Sequence, residues 1–120
     1  MTEERDILCP LRYTLDIIGG KWKLPILCVL ADKTPRRYSE IKKKIPDITN
    51  MMLSQFLKDL ESHGIITRKQ YNEVPPRVEY CMNDGMEDLL KPLRMLGEWG
   101  IVHMQREGKP LACERCRGEE

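Results

Sequence analysis

Reactive side chains are few in this sequence of 120 residues, and its five cysteines are the first to weigh. Cys9 stands directly before Pro10 at the head of a helical pattern, where amide donors and the helix dipole favour a thiolate. Arg5 and Arg12 add positive charge nearby, and Asp6 opposes it. Two roles suit Cys9: a reactive thiol, or a small residue buried under the first helix, the commoner fate of a reduced cysteine. Cys113 and Cys116 form a C-x-x-C pair, a spacing that suits half of a zinc site or a dithiol redox motif. No second pair of this kind occurs, and the βαβ setting of a thioredoxin-like motif is missing, so the expectation is a structural or incidental role, with a tail disulfide or metal site as the alternative. Cys28 and Cys81 sit inside apolar patterns and read as core. His63 and His103 are the only histidines, and no phosphate loop, metalloprotease helix, nucleophile elbow or carboxylate pair accompanies them. Catalysis is not expected, and neither a metal nor another cofactor is implied.

A second kind of chemistry is recognition. Asn50, Met51, Ser54, Gln55 and Lys58 recur at spacings that align them along one side of a helix, opposite Leu53, Phe56, Leu57 and Leu60. Amides and hydroxyls in such a row can meet base edges, and a lysine can reach a phosphate. Taken alone, the row reads first as the solvated face of an amphipathic helix. Its surroundings add weight. Lys33, Arg36, Arg37, Lys42, Lys43 and Lys44 cluster just before it with Glu40 as the sole acid, and Arg68, Lys69 and Arg77 follow on a hairpin. The net charge is only +1, so this local clustering, and not the global field, carries the case for a nucleic acid. The expected DNA contacts are Arg36, Arg37, Ser39, Lys42, Lys43, Thr49, Asn50, Met51, Ser54, Gln55, Lys58, Arg68 and Arg77.

These residues need elements to position them. Leu11, Leu15 and Ile18 predict a first helix that Gly19-Gly20 ends, and the dense apolar run of residues 23–30 predicts a second, largely buried, with Trp22 covering it. Ser39 suits the N-cap of a short helix through Ile45, with Ile41 and Ile45 facing inward. Thr49 suits the cap of a longer helix that Gly64 closes. Residues 65–71 and 78–82 read as strands of a hairpin whose loop is Asn72-Glu73-Val74-Pro75-Pro76. From Asn83 or Asp84 a last helix runs through Leu89, Leu90, Leu93, Leu96 and Trp99, bent by Pro92 and weakened by Gly97 and Gly100. The order predicts a mostly α fold with a β-hairpin wing, a winged helix-turn-helix. One domain over residues 1–108 and a polar tail over 109–120 are expected.

Hydrophobic residues at 41% and charged residues at 32% exclude a disordered chain. The apolar runs fall well short of the ~20 residues that cross a bilayer, and the polar residues 1–5 lead into no apolar segment, so a cytoplasmic, thiol-reducing compartment is expected. A chain this small has a marginal core, and Leu11, Leu15, Leu93, Leu96, Trp99 and Val102 form apolar faces at both ends that a second copy would cover. The alternative is that they pack within one chain.

Four stretches together resemble the HxlR family of bacterial winged helix-turn-helix regulators, relatives of the MarR group, over residues 9–100. They are Cys9-Pro10 with Asp16-Ile17-Ile18-Gly19-Gly20-Lys21-Trp22-Lys23, Arg36-Arg37-Tyr38-Ser39-Glu40-Ile41, Met52-Leu53-Ser54-Gln55 leading to Leu60-Glu61, and Glu73-Val74-Pro75-Pro76-Arg77-Val78-Glu79-Tyr80. The resemblance implies a transcription regulator, repressor or activator, that binds a pseudo-palindromic operator as a homodimer joined by terminal helices. It further implies a recognition helix at residues 50–63, a wing at 71–77, and a Cys9 that senses oxidants or electrophiles such as quinones and aldehydes. Met51 departs from the basic residue common among relatives, and Gly85-Met86 replaces their leucine-glycine pair. The competing readings are a protein-binding winged helix and a thiol oxidoreductase using Cys9 or the Cys113 and Cys116 pair.

Overall fold

The computed structural model describes residues 9–110, so the Cys113 and Cys116 pair, Arg5 and the acidic residues Glu3, Glu4, Asp6, Glu114, Glu119 and Glu120 lie outside the described residues. The chain divides into two compact units between Asn83 and Asp84.

In the first unit, helix α1 spans Pro10–Ile18. Cys9 is its N-cap, and the Sγ accepts the Arg12 amide at 3.4 Å. Gly19 ends it by donating to the Leu15 carbonyl at 2.7 Å. A Cβ there would lie 2.4 Å from that oxygen, so only glycine allows the approach. Helix α2, Lys23–Leu30, is apolar nearly all round and buries Ile26, Leu27, Val29 and Leu30.

A two-residue strand β1, Arg36–Arg37, leads directly into α3, Tyr38–Lys44. The cap of α3 is Arg37 and not Ser39, because the Glu40 carboxylate reaches back to accept the Arg37 amide at 2.7 Å. The helix therefore starts two residues earlier than expected. Thr49 caps α4, Asn50–Ser62, as expected, with its hydroxyl accepting the Met52 amide at 3.1 Å. Leu53, Leu57 and Leu60 are the buried face of α4, and the chain leaves it through Gly64 at φ +74°.

Strands β2, Ile66–Tyr71, and β3, Arg77–Met82, form the antiparallel hairpin, in a register running from Ile66↔Met82 to Tyr71↔Arg77. The sheet has a third strand: β1 lies on the free side of β3, pairing Arg36 with Tyr80 and Arg37 with Glu79, in the order β1-β3-β2. Ile26, Leu27, Leu30, Ile41, Ile48, Leu53, Leu57, Leu60 and Ile66 are essentially inaccessible, each burial contributing about 1.5–3 kcal/mol. Cys28 and Cys81 are half-buried and not core as expected; the Cys81 thiol donates to the Lys33 carbonyl at 3.3 Å, a polar partner that a wholly apolar core would not offer.

Asn83 does not cap the last helix. Its amide donates to the Gly64 carbonyl at 2.6 Å and accepts from the Thr67 hydroxyl, tying the end of β3 back to the hairpin's start. In the second unit, helix α5 begins only at Glu87 and runs to Arg106, passing through Pro92, Gly97 and Gly100 without a break. Glu87 and Asp88 in its first turn and His103 and Arg106 in its last complement its dipole. Leu90 is buried, whereas Met95, Leu96, Trp99 and Val102 are exposed. Among the described residues no helix is long and apolar enough to cross a membrane.

Candidate nucleic-acid interface

Helices α3 and α4 are joined by a turn over residues 45–49 whose Ile45 and Ile48 are buried and bonded, the Ile48 amide donating to the Ile45 carbonyl at 3.1 Å. Two buried isoleucines on either side of an exposed Pro46-Asp47 pair fix the angle between the helices. With Leu53, Leu57 and Leu60 inward, α4 turns Asn50, Met51, Ser54, Gln55 and Lys58 to the open side, all of them exposed.

That row is held in place by its neighbours. The Tyr38 hydroxyl, from the first turn of α3, donates to the Asn50 carbonyl at 2.9 Å and to its Oδ1 at 3.0 Å, and the Ser54 hydroxyl donates to Tyr38 at 3.4 Å. Gln55 donates through Nε2 to Asp59 at 3.1 Å, and Asp59 also pairs with Lys23 at 3.7 Å. The Lys23 ammonium in turn donates to the Ile17 carbonyl at the end of α1, 3.0 Å away. The open face of α4 is thus linked to α1 and α2 through one carboxylate. Beside it, Ser54, Lys58, Glu61, Arg68 and Tyr80 line a shallow recess of about 380 Å³.

The expected cations divide into two groups. Arg37, Lys43, Lys58 and Arg68 are exposed, and Lys42 is half-buried. Arg36 and Arg77 are instead engaged by acids. Arg36 pairs with Asp32 at 2.7 Å, and its Nε is buried without a hydrogen-bond partner. Arg77 pairs with Glu73 and Glu79, both at 3.0 Å, and lies 3.7 Å above the Tyr71 ring. These contacts brace the base of the loop over residues 72–76, whose Val74 is fully exposed. Ser39 is exposed on the first turn of α3, and Thr49 spends its hydroxyl on the α4 cap.

Outside the row, Cys9 is exposed, which removes the buried alternative for it. Leu11 and Leu15 on α1 are exposed, as are Leu96, Trp99 and Val102 on α5, while Leu93 is half-buried. Trp99 stacks on His103 with ring centroids 4.9 Å apart, and His103 reaches Glu107 at 3.0 Å.

Comparison with known proteins decides the family. Residues 17–108 match the HxlR-like helix-turn-helix family. The chain belongs to it. HTH-type transcriptional regulator BH0655 of Halalkalibacterium halodurans is 48% identical over 92 residues, covering 77% of this chain and 81% of that protein. Among solved structures, the HTH-type transcriptional regulator ytcD superposes with a TM-score of 0.76 at 43% identity, over 81% of this chain and 98% of its own. The redox regulator HypR in its oxidized form does so with a TM-score of 0.70 at 40% identity, over 78% of this chain and 96% of its own. The protein is accordingly a helix-turn-helix transcriptional regulator of a family of regulators and not of enzymes.

Within the HxlR-like fold, Tyr38 and Tyr80 adjoin the open row of α4 and were not among the residues expected there. Tyr38 touches a residue 12 positions on, and Tyr80 reaches the recess because β3 lies between two strands. The one signal available was a hydroxyl-bearing aromatic at each site, and aromatics in strands and first turns are ordinarily read as packing.

Proposed function

We propose that this regulator binds duplex DNA sequence-specifically as a homodimer, repressing or activating transcription, and answers oxidants or electrophiles through Cys9. The observation that carries the DNA reading is the open side of α4, where Asn50, Met51, Ser54, Gln55 and Lys58 stand exposed on a helix anchored by Leu53, Leu57 and Leu60. In the major groove the first turn of α4 meets base edges, as recognition helices do. Lys58, Arg68, Lys42, Lys43 and Arg37, with Ser39, meet phosphates, while Arg36, Arg77 and Thr49 hold the sheet edge, the wing and the helix start in position. The functional unit runs through residue 108, with residues 109–120 as a polar tail.

Exposed apolar side chains on α1 (Leu11, Leu15) and on α5 (Leu96, Trp99, Val102), with the half-buried Leu93 of α5, support a second copy as the cover. A two-fold dimer presents two recognition helices to a pseudo-palindromic operator. Cys9 is both accessible and part of the α1 cap. When its thiol adds across the N=N bond of diamide, an S–N bond forms and the thiol proton passes to the other nitrogen. The bulky adduct displaces the Arg12 amide from Sγ and disturbs the start of a dimer-forming helix. A signal of this kind suits a cytoplasm that otherwise keeps thiols reduced.

The test is titration of a labelled duplex from upstream of this protein's own gene, at two salt concentrations, with and without diamide. Expected is binding that weakens steeply with salt, with a log–log slope of about −0.9 per neutralised phosphate. Salt-indifferent or absent binding, on that duplex and on pooled genomic fragments, would replace the DNA reading with protein binding. Cys9→Ser keeps a cap oxygen and should leave affinity intact while abolishing the diamide response; an undiminished response removes Cys9 from the mechanism.

A further inference from the structure

Met51 is the second residue of α4 and is 82% exposed, although it lies on the face that carries the helix's polar side chains. It contributes nothing to the buried stripe of Leu53, Leu57 and Leu60. Its neighbour Asn50 is held through Oδ1 by the Tyr38 hydroxyl, and among the described residues its Nδ2 hydrogens have no protein partner. The first turn of α4 therefore offers a positioned N–H donor next to an unbranched, polarizable apolar side chain. In the major groove an acceptor beside a methyl group marks thymine alone, through O4 and the C5-methyl. Guanine N7 and O6 and adenine N7 are acceptors with no methyl beside them, and the exocyclic amine of cytosine would oppose the Asn50 donor. Gln55, the other amide in the row, has its Nε2 engaged by Asp59 and is not a free two-pronged partner for adenine.

We propose that Asn50 and Met51 make thymine the base read by the first turn of α4, Nδ2 donating to O4 while the Met51 side chain covers the 5-methyl. This assignment rests on the DNA-binding reading above and specifies what that surface selects. The experiment selects duplexes from a randomised pool with the full chain, then replaces each thymine of the winning duplex in turn by deoxyuridine, which removes the methyl and keeps O4. One thymine per half-site should lose about fourfold in affinity on this change, the effect of one buried methyl. Met51→Ser should bring the thymine-to-deoxyuridine ratio at that position close to one while salt-dependent binding persists. Tyr38→Phe, which frees the Asn50 Oδ1, should broaden the selected base toward adenine. Equal binding of thymine and deoxyuridine at every position, or an undiminished ratio in Met51→Ser, overturns the thymine assignment and leaves DNA binding standing. Failure to enrich any duplex, with no salt-dependent binding, overturns both.

Discussion

The two units solve the problem of apolar surface in opposite ways. Among the described residues, every buried apolar side chain except Leu90 belongs to the unit that ends at Asn83. There, short helices and a small sheet enclose a core of leucine and isoleucine. The unit that begins at Asp84 is one long helix, and it leaves Met95, Leu96, Trp99 and Val102 open. The contrast is one of proportion: the first unit puts most of its apolar residues into fixing α4 and leaves Leu11 and Leu15 of α1 open, whereas the second buries only Leu90 among the described residues. Substitutions in the two should therefore fail differently.

The largest effect is expected at Leu57, essentially inaccessible in the middle of α4. Leu57→Ala should lower unfolding free energy by about 2–5 kcal/mol in chemical denaturation. A loss below 1 kcal/mol would mean that the first unit is less tightly closed than its burial implies. Next comes Trp99→Glu on the open face of α5, which should leave the unfolding midpoint of a dilute sample nearly unchanged while costing about 2–4 kcal/mol of self-association, read by sedimentation. A dimer that persists in Trp99→Glu would break the contrast between the units. Lys58→Ala should flatten the log–log salt dependence of DNA binding by about one phosphate per subunit and weaken all sequences alike. The smallest effect is Thr49→Ala, which removes the α4 cap for about 1 kcal/mol of stability, measurable by thermal melting, and sharpens the comparison by loosening α4 without touching its open face.

Much of the first unit was legible because its signals are local. Thr49, the leucine spacing of α4 and Gly64 lie within one stretch of chain, and each acts through backbone geometry or period alone. The same holds for α1, where Pro10 and Gly19 punctuate three apolar residues. What failed was competition between local options. Ser39 and Asn83 are both good caps by type, yet the Glu40 carboxylate selected Arg37 as the cap of α3, and the Gly64 carbonyl and Thr67 hydroxyl recruited Asn83 into the hairpin. Cys9 was ambiguous because sequence alone does not tell an exposed cap from a buried one.

The candidate interface divides along the same line. By itself the sequence determined that a helix with Asn50, Met51, Ser54, Gln55 and Lys58 on one side follows a basic segment, since a period of 3.6 residues fixes which side chains share a face. Only the tertiary structure decided which of those groups remain available. Tyr38 takes the Asn50 carboxamide oxygen, Asp59 takes the Gln55 amide, and Glu73 and Glu79 neutralise Arg77. Strand β1 likewise exists only because residues 36–37 find β3, more than 40 positions further on. Hydrogen bonds and ion pairs between elements depend on atoms a few ångströms apart in space, and nothing in the spacing of a sequence sets those distances.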